Sequence, residues 1–92
     1  MTTNQESAKD YLNVTEQFIT YDLGLAAALV SLGYTLWDID RTDPKKAQFI
    51  FKRDEHIDRM IDTYWDGTLS LNARTLFDNQ KMLKNRLYSV VL

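Results

Sequence analysis

A chain of 92 residues, 45% hydrophobic and 26% charged, suits one folded domain; it is too short for two and too apolar for disorder. With no cysteine it forms no disulfide, thiolate nucleophile, iron–sulfur cluster or cysteine-based zinc site, and a net charge of −2 is a poor starting point for a nucleic-acid binder. The opening MTTNQESAKDYLN lacks the basic start and apolar run of a secretory signal, so a cytoplasmic location is expected, with no membrane association.

Residues 1–13 are polar and aperiodic and are expected to form a flexible amino-terminal segment, leaving 14–92 as a single α+β domain. Val14 to Thr20 alternates weakly and contains β-branched and aromatic residues, which predicts a short strand. Thr20 to Gly33, TYDLGLAAALVSLG, follows as the central helix. Thr20 is its expected cap, Asp22 places negative charge at the positive helix end, and Gly33 closes it. Apolar or small residues occupy nearly every side of this segment, so it is predicted to be buried on more than one face; at about 12 residues it is too short to span a bilayer.

YTLWDID at 34–40 predicts a strand with Tyr34 and Leu36 on one face and Thr35, Trp37 and Ile39 on the other. Asp43-Pro44 marks a hairpin turn, and AQFIFKR at 47–53 returns with Ala47, Phe49 and Phe51 facing inward. Asp54 then caps a helix in which Ile57, Met60, Ile61, Tyr64 and Trp65 recur at helical spacing, ended by Gly67. TLSL at 68–71 is read as a fourth short strand. Asn72 caps a last helix running to about Val90, with Leu76, Phe77, Leu83, Leu87, Tyr88 and Val91 as its apolar stripe. The order β-α-β-β-α-(β)-α is a ferredoxin-like, split βαβ arrangement with an added carboxy-terminal helix. If 68–71 forms no strand, a three-stranded sheet with helices packed on it remains.

Charge alternates by segment. Residues 1–40 and 54–70 are predominantly acidic; 41–53 and 71–92 are predominantly basic. The candidate nucleic-acid contacts are therefore Lys45, Lys46, Lys52 and Arg53 in the first basic block and Lys81, Lys84 and Arg86 in the second. Either the two blocks meet on one face, or each neutralises an acidic neighbour, which is the favoured reading. Phe49 and Phe51 beside the basic hairpin resemble the base-stacking strand of RNA-recognition modules, although core packing is favoured for both. Tyr34, Trp37, Ile50 and Tyr88 are candidates for an apolar surface that binds a protein partner or another copy of the chain.

Catalysis has little support. Asp38, Asp40 and Asp43 lack the spacing of a calcium loop, and a solvated hairpin end is favoured over a metal site. His56 is the single histidine and stands outside the apolar stripe of its helix, and no nucleophile elbow or phosphate-cradling glycine loop occurs. A non-enzymatic protein without metal or cofactor is expected.

FITYDLGLAAALVSLGY, AQFIFKR, YWDG and FDNQKMLKNRLYS together resemble a small family of bacteria and their mobile elements known as a domain of unknown function, over residues 18–89. The resemblance falls on Asp22, Leu23 and Gly33, on Phe49 and Phe51, on Trp65 and Gly67, and on Phe77, Leu83, Lys84, Arg86 and Tyr88. It implies a coherent fold and a phage or mobile-element setting and supplies no catalytic residue. The expected function is a non-catalytic accessory domain that binds nucleic acid, with a protein-interaction or self-assembling module as the alternative.

Overall fold

The computed structural model describes residues 16–43 and 45–88. The flexible segment expected at 1–13, Val14, the turn residue Pro44 and the helix end at Val90 and Val91 lie outside the described residues. Six elements follow in order: β1 (Gln17–Thr20), α1 (Leu23–Ser31), β2 (Leu36–Asp40), β3 (Gln48–Lys52), α2 (Ile57–Asp66) and α3 (Ala73–Tyr88). The class is α+β.

The sheet is antiparallel with order β1-β3-β2. Phe18 pairs with Phe51 and Thr20 with Phe49, while on the other side Leu36 pairs with Phe51 and Ile39 with Phe49. Residues 68–71 form no strand, so the fourth strand of a ferredoxin-like sheet is not formed there. TLSL offers four residues of alternation, and its two leucines, Leu69 and Leu71, line a groove beside Tyr64, half-buried beside the helices.

A β-bulge between Leu36 and Asp38 corrects the expected pattern of β2. The extra residue lets Trp37 and Asp38 both stand opposite Ile50, so Leu36 and Ile39 share the inner face instead of lying on opposite ones. Phe49 and Phe51, 1% and 0% exposed, are core as expected. Base stacking on them is closed off.

The two-sided burial of α1 holds: Leu25, Ala26, Ala27, Ala28 and Leu29 are consecutive and all buried. Leu25, Ala26, Ala27 and Leu29 of this run meet Ile39, Phe49 and Phe51 from the sheet, Ile57 from α2 and Leu83 from α3 in one cluster. All three helices therefore cover the same face of the sheet. α3 packs closely along α1, and α2 touches α1 more lightly. Between α3 and α1, the Asn79 side-chain amide donates to Ser31 Oγ at 2.9 Å, which in turn donates to the Ala27 carbonyl at 2.7 Å.

The helix ends follow from local chemistry, with two corrections. The residue at the start of α2 is His56, which makes no side-chain cap hydrogen bond, while the expected cap Asp54 stands two residues earlier and accepts from the His56 amide. Asp22, not Thr20, is the cap of α1: the Leu25 amide donates to Asp22 Oδ1 at 2.8 Å, and Thr20 Oγ1 accepts from the Asp22 amide. At the other end Tyr34 N–H reaches the Leu29 carbonyl and Gly33 N–H the Val30 carbonyl, a Schellman closure with Gly33 at φ 101°. α2 ends in the same way at Gly67, φ 77°, with Thr68 N–H on the Thr63 carbonyl. Asn72 caps α3 as expected, accepting from the Thr75 amide at 3.0 Å. Among the described residues no helix is long and apolar enough to cross a membrane.

Candidate binding surfaces

The seven basic candidates are not equivalent once placed. Arg53 is a structural staple. Its Nη1 lies 2.9 Å from both Asp58 carboxylate oxygens, its Nε donates to the Gln17 carbonyl at 3.2 Å, and its backbone amide donates to the Glu16 carbonyl. One side chain thus ties the start of β1 and the end of β3 to the first turn of α2. Lys52 follows Ile50 on the bare outer face of the sheet. Lys45 is exposed at the hairpin turn, and Lys46 Nζ sits 5.7 Å above the Tyr21 ring.

The second block lies in the helix layer. At about 100° per residue, Lys81 and Lys84 fall on the solvent face of α3, about 160° and 100° around the axis from Leu83, whereas Arg86 is about 160° around the axis from Lys84. The Arg86 carbonyl accepts a hydrogen bond from Arg41 Nη1 at 3.2 Å, joining the carboxy-terminal turn of α3 to the end of β2. Lys52 and the Lys81–Lys84 pair thus belong to opposite layers of the molecule, and Lys81 and Lys84 lie about one turn apart on α3.

That surface contains two side chains which the apolar stripe had assigned to the core. Phe77 is 63% exposed and Tyr88 75%. Leu76, Leu83 and Leu87 take the inward line, and Phe77 and Tyr88 each follow an inward leucine by one residue, about 100° away. The result is a solvent-facing row, Phe77, Lys81, Lys84 and Tyr88, at successive spacings of four, three and four residues. Arg74 lies one turn before it and pairs with Asp78 at 3.8 Å. Among the described residues neither Lys81 nor Lys84 has an ion-pair partner.

The apolar candidates divide too. Trp37 and Ile50 do come together: with Ile19, which pairs across from Ile50, they form a row over all three strands on the bare sheet face. Ile19 is exposed and was missed in the sequence, although its place in the weak alternation of VTEQFIT carried the signal. Tyr34 is elsewhere. It packs against the core, and its hydroxyl donates to Asp54 Oδ1 at 2.9 Å. Desolvation, then the hydrogen bond and charge of Asp54, push the Tyr34 hydroxyl up to about 12. Trp65, expected in the α2 stripe, is 61% exposed, with its ring edge-on to Tyr64 at 4.9 Å.

A groove of about 350 Å³ runs between α2 and α3, lined by Tyr64, Leu76, Phe77 and Ala28 with Leu69 and Leu71 from the connecting segment. At the far end of the sheet a polar cleft of about 180 Å³ is bounded by Tyr21, Asp40, Lys46 and Gln48, with the Gln48 amide donating to the Tyr21 hydroxyl at 3.0 Å.

Asp38, Asp40 and Asp43 each hold a backbone amide of the hairpin, those of Ile39, Thr42 and Lys45. The Thr42 hydroxyl and amide lower the Asp40 carboxyl against a smaller desolvation effect. Such Asx-type turns explain the three acids through local backbone chemistry. His56 is exposed, 3.4 Å from Glu55. Among the described residues no three histidine or acidic side chains converge as a cation site.

One family model matches residues 15–89, from just before β1 to just beyond α3. The chain belongs to DUF5659, a domain of unknown function. The match covers nearly the span of the resemblance read from the residues, and it takes in both the α3 row and the bare sheet face of this DUF5659 domain. No curated protein and no solved structure matches it.

Proposed function

We propose that this DUF5659 domain is a non-catalytic module that binds single-stranded nucleic acid along the solvent face of α3. The observation that carries the reading is the row Phe77, Lys81, Lys84 and Tyr88, all exposed, with both lysines unpaired between two aromatic rings. Lysines attract phosphates by charge and by release of condensed counterions, and exposed aromatic rings give unstacked bases a surface. A duplex buries its base faces and would use only the lysines. A single strand uses all four side chains.

Phe77 and Tyr88 are separated by about 16 Å along the helix axis, room for a short stretch of extended strand with phosphates near the lysines. The test is fluorescence anisotropy of labelled single-stranded RNA and DNA against duplexes of the same sequence, at low and moderate salt. Binding is expected to favour single strands, to collapse with salt, and to weaken at least tenfold in Lys81→Glu/Lys84→Glu. No binding at low salt overturns the reading.

The alternative, a protein-interaction module, draws on the row of exposed Ile19, half-buried Ile50 and exposed Trp37 across the outer sheet face. A surface of that kind responds weakly to salt. It would be lost in Ile50→Ser/Trp37→Ser and unaffected by changes in Lys81 and Lys84.

A further inference from the structure

The helices α2 and α3 carry exposed side chains of opposite charge that form no ion pair with one another among the described residues. On α2, Asp62 and Asp66 lie beside the exposed Trp65, and neither acid has an ion-pair partner among the described residues. On α3, Lys81 and Lys84 lie beside the exposed Phe77 and Tyr88 in the same unpaired condition. Each face includes one charge of the other sign, Arg59 on α2 and Asp78 on α3, and Asp78 is already paired with Arg74.

α2 and α3 both pack against α1, and Tyr64 of α2 lines one groove with Leu76 and Phe77 of α3. Among the described residues no ion pair joins the two sets of charges within one molecule. Between molecules the two sets can pair. The acids on α2 are about 6 Å apart along the helix and the lysines on α3 about 4.5 Å, so two helices laid side by side can bring both pairs into register.

We propose that a second copy of this chain docks through its α2 face, Asp62, Trp65 and Asp66, onto the α3 face, Phe77, Lys81, Lys84 and Tyr88, of the first. Charge complementarity selects the occupant: the surface that fits α3 is present on every copy. The aromatic side chains add apolar area at the contact, with Trp65 of one copy against the rings of α3 of the other. Such a contact is heterologous and leaves one α2 face and one α3 face open at the ends, so association grows with concentration instead of stopping at a dimer. A contact between single helix faces is smaller than the interfaces of permanent complexes, so the assembly is transient. It also covers the row proposed above to bind nucleic acid. Competition between strand and second copy rests on that reading; the association itself does not.

The experiment is light scattering of the whole chain across a concentration series at low and at moderate salt, without nucleic acid. Mass is expected to rise with concentration at low salt and to fall as salt is added. Asp62→Lys/Asp66→Lys alone and Lys81→Glu/Lys84→Glu alone should each raise the dissociation constant at least tenfold, with circular dichroism confirming that both fold. An equimolar mixture of the two variants restores complementary faces and should restore association. A monomer throughout the wild-type series overturns the proposal, as does association that neither reversal weakens, which would place the contact on another surface such as the Ile19–Trp37 row. Nucleic-acid binding is measured separately with dilute protein, so loss of either property is read independently of the other.

Discussion

The Tyr34 hydroxyl and Asp54 Oδ1 are 2.9 Å apart, a single hydrogen bond that links the residue leaving α1 to the turn that precedes α2. Asp54 in turn accepts from the His56 amide at 2.9 Å, so one carboxylate holds both the α2 first turn and the end of the α1–β2 connection. Desolvation raises the Asp54 carboxyl, but the Tyr34 hydroxyl and the His56 and Ile57 amides together outweigh it, leaving a net lowering.

This bond predicts an alkaline weakness. The folded Tyr34 hydroxyl titrates at about 12 against an ordinary value of 10.0. Below the ordinary value both states keep the proton and the contribution is fully present. Between the two values the unfolded chain loses a proton that the folded chain keeps, so stability falls with rising pH. Thermal melts of wild type and Tyr34→Phe across this interval should show the variant losing less stability than wild type. Parallel curves would detach Tyr34 from the alkaline transition. In the same variant the Asp54 carboxyl should move up toward the ordinary aspartate range, which side-chain NMR titration reads.

Gly67 supplies a second expectation. Its φ of 77° lies in the left-handed region, and a Cβ there would meet nothing within 4 Å. The cost of Gly67→Ala is therefore backbone strain alone, about 1 kcal/mol, or a fall in Tm of roughly 4–8 °C for a domain of this size. Gly24 behaves differently. A Cβ at that position would stand 2.7 Å from the Tyr64 hydroxyl. Gly24→Ala should be relieved by Tyr64→Phe, whereas Gly67→Ala should not, and a double-mutant melt series separates the two.

Much of this fold was legible because its signals were local. Asn72 and Gly67 announce helix ends through side-chain reach and positive φ, and the alternation of Phe49 and Phe51 names the inner face of β3 correctly. What sequence could not carry was tertiary. The bulge at Trp37 depends on pairing with Ile50, and 68–71 depends on whether a sheet edge or the groove beside Tyr64 offers its leucines more burial. The exposure of Phe77 and Tyr88 has the same origin: α3 shows two adjacent apolar residues at each end of its stripe, and contact with α1 decides which of them is inside. The candidate site suffered most. Its lysines are visible as a basic block and Tyr88 as a surface candidate, but Phe77 stands in the sequence only as part of the apolar stripe.

That assignment can be tested on stability. Leu83 is fully buried where α3 meets the core, so Leu83→Ala should cost about 2–5 kcal/mol from lost transfer energy and the cavity left behind. Phe77→Ser, one helix face away, should change stability by no more than about 0.5 kcal/mol. Chemical denaturation of both variants decides it. A large loss at Phe77 would mean that its ring contributes to the core or to the adjoining groove more than its exposure indicates.

The last expectation concerns the lysines. If Lys81 and Lys84 each neutralise one phosphate of a single strand, removing both should flatten the slope of log K against log salt by about 1.4, from about 0.7 per phosphate contact. Lys81→Gln/Lys84→Gln tests this without introducing repulsion. Phe77→Ala/Tyr88→Ala should instead lower affinity at every salt concentration and leave the slope unchanged, because base stacking releases no counterions. The same pair of titrations separates the two basic blocks. Lys52 lies on the opposite layer of the molecule from this row, so Lys52→Gln should alter neither slope nor affinity. A slope change in Lys52→Gln equal to that of a single α3 lysine would mean that the strand wraps around the sheet edge to reach both layers.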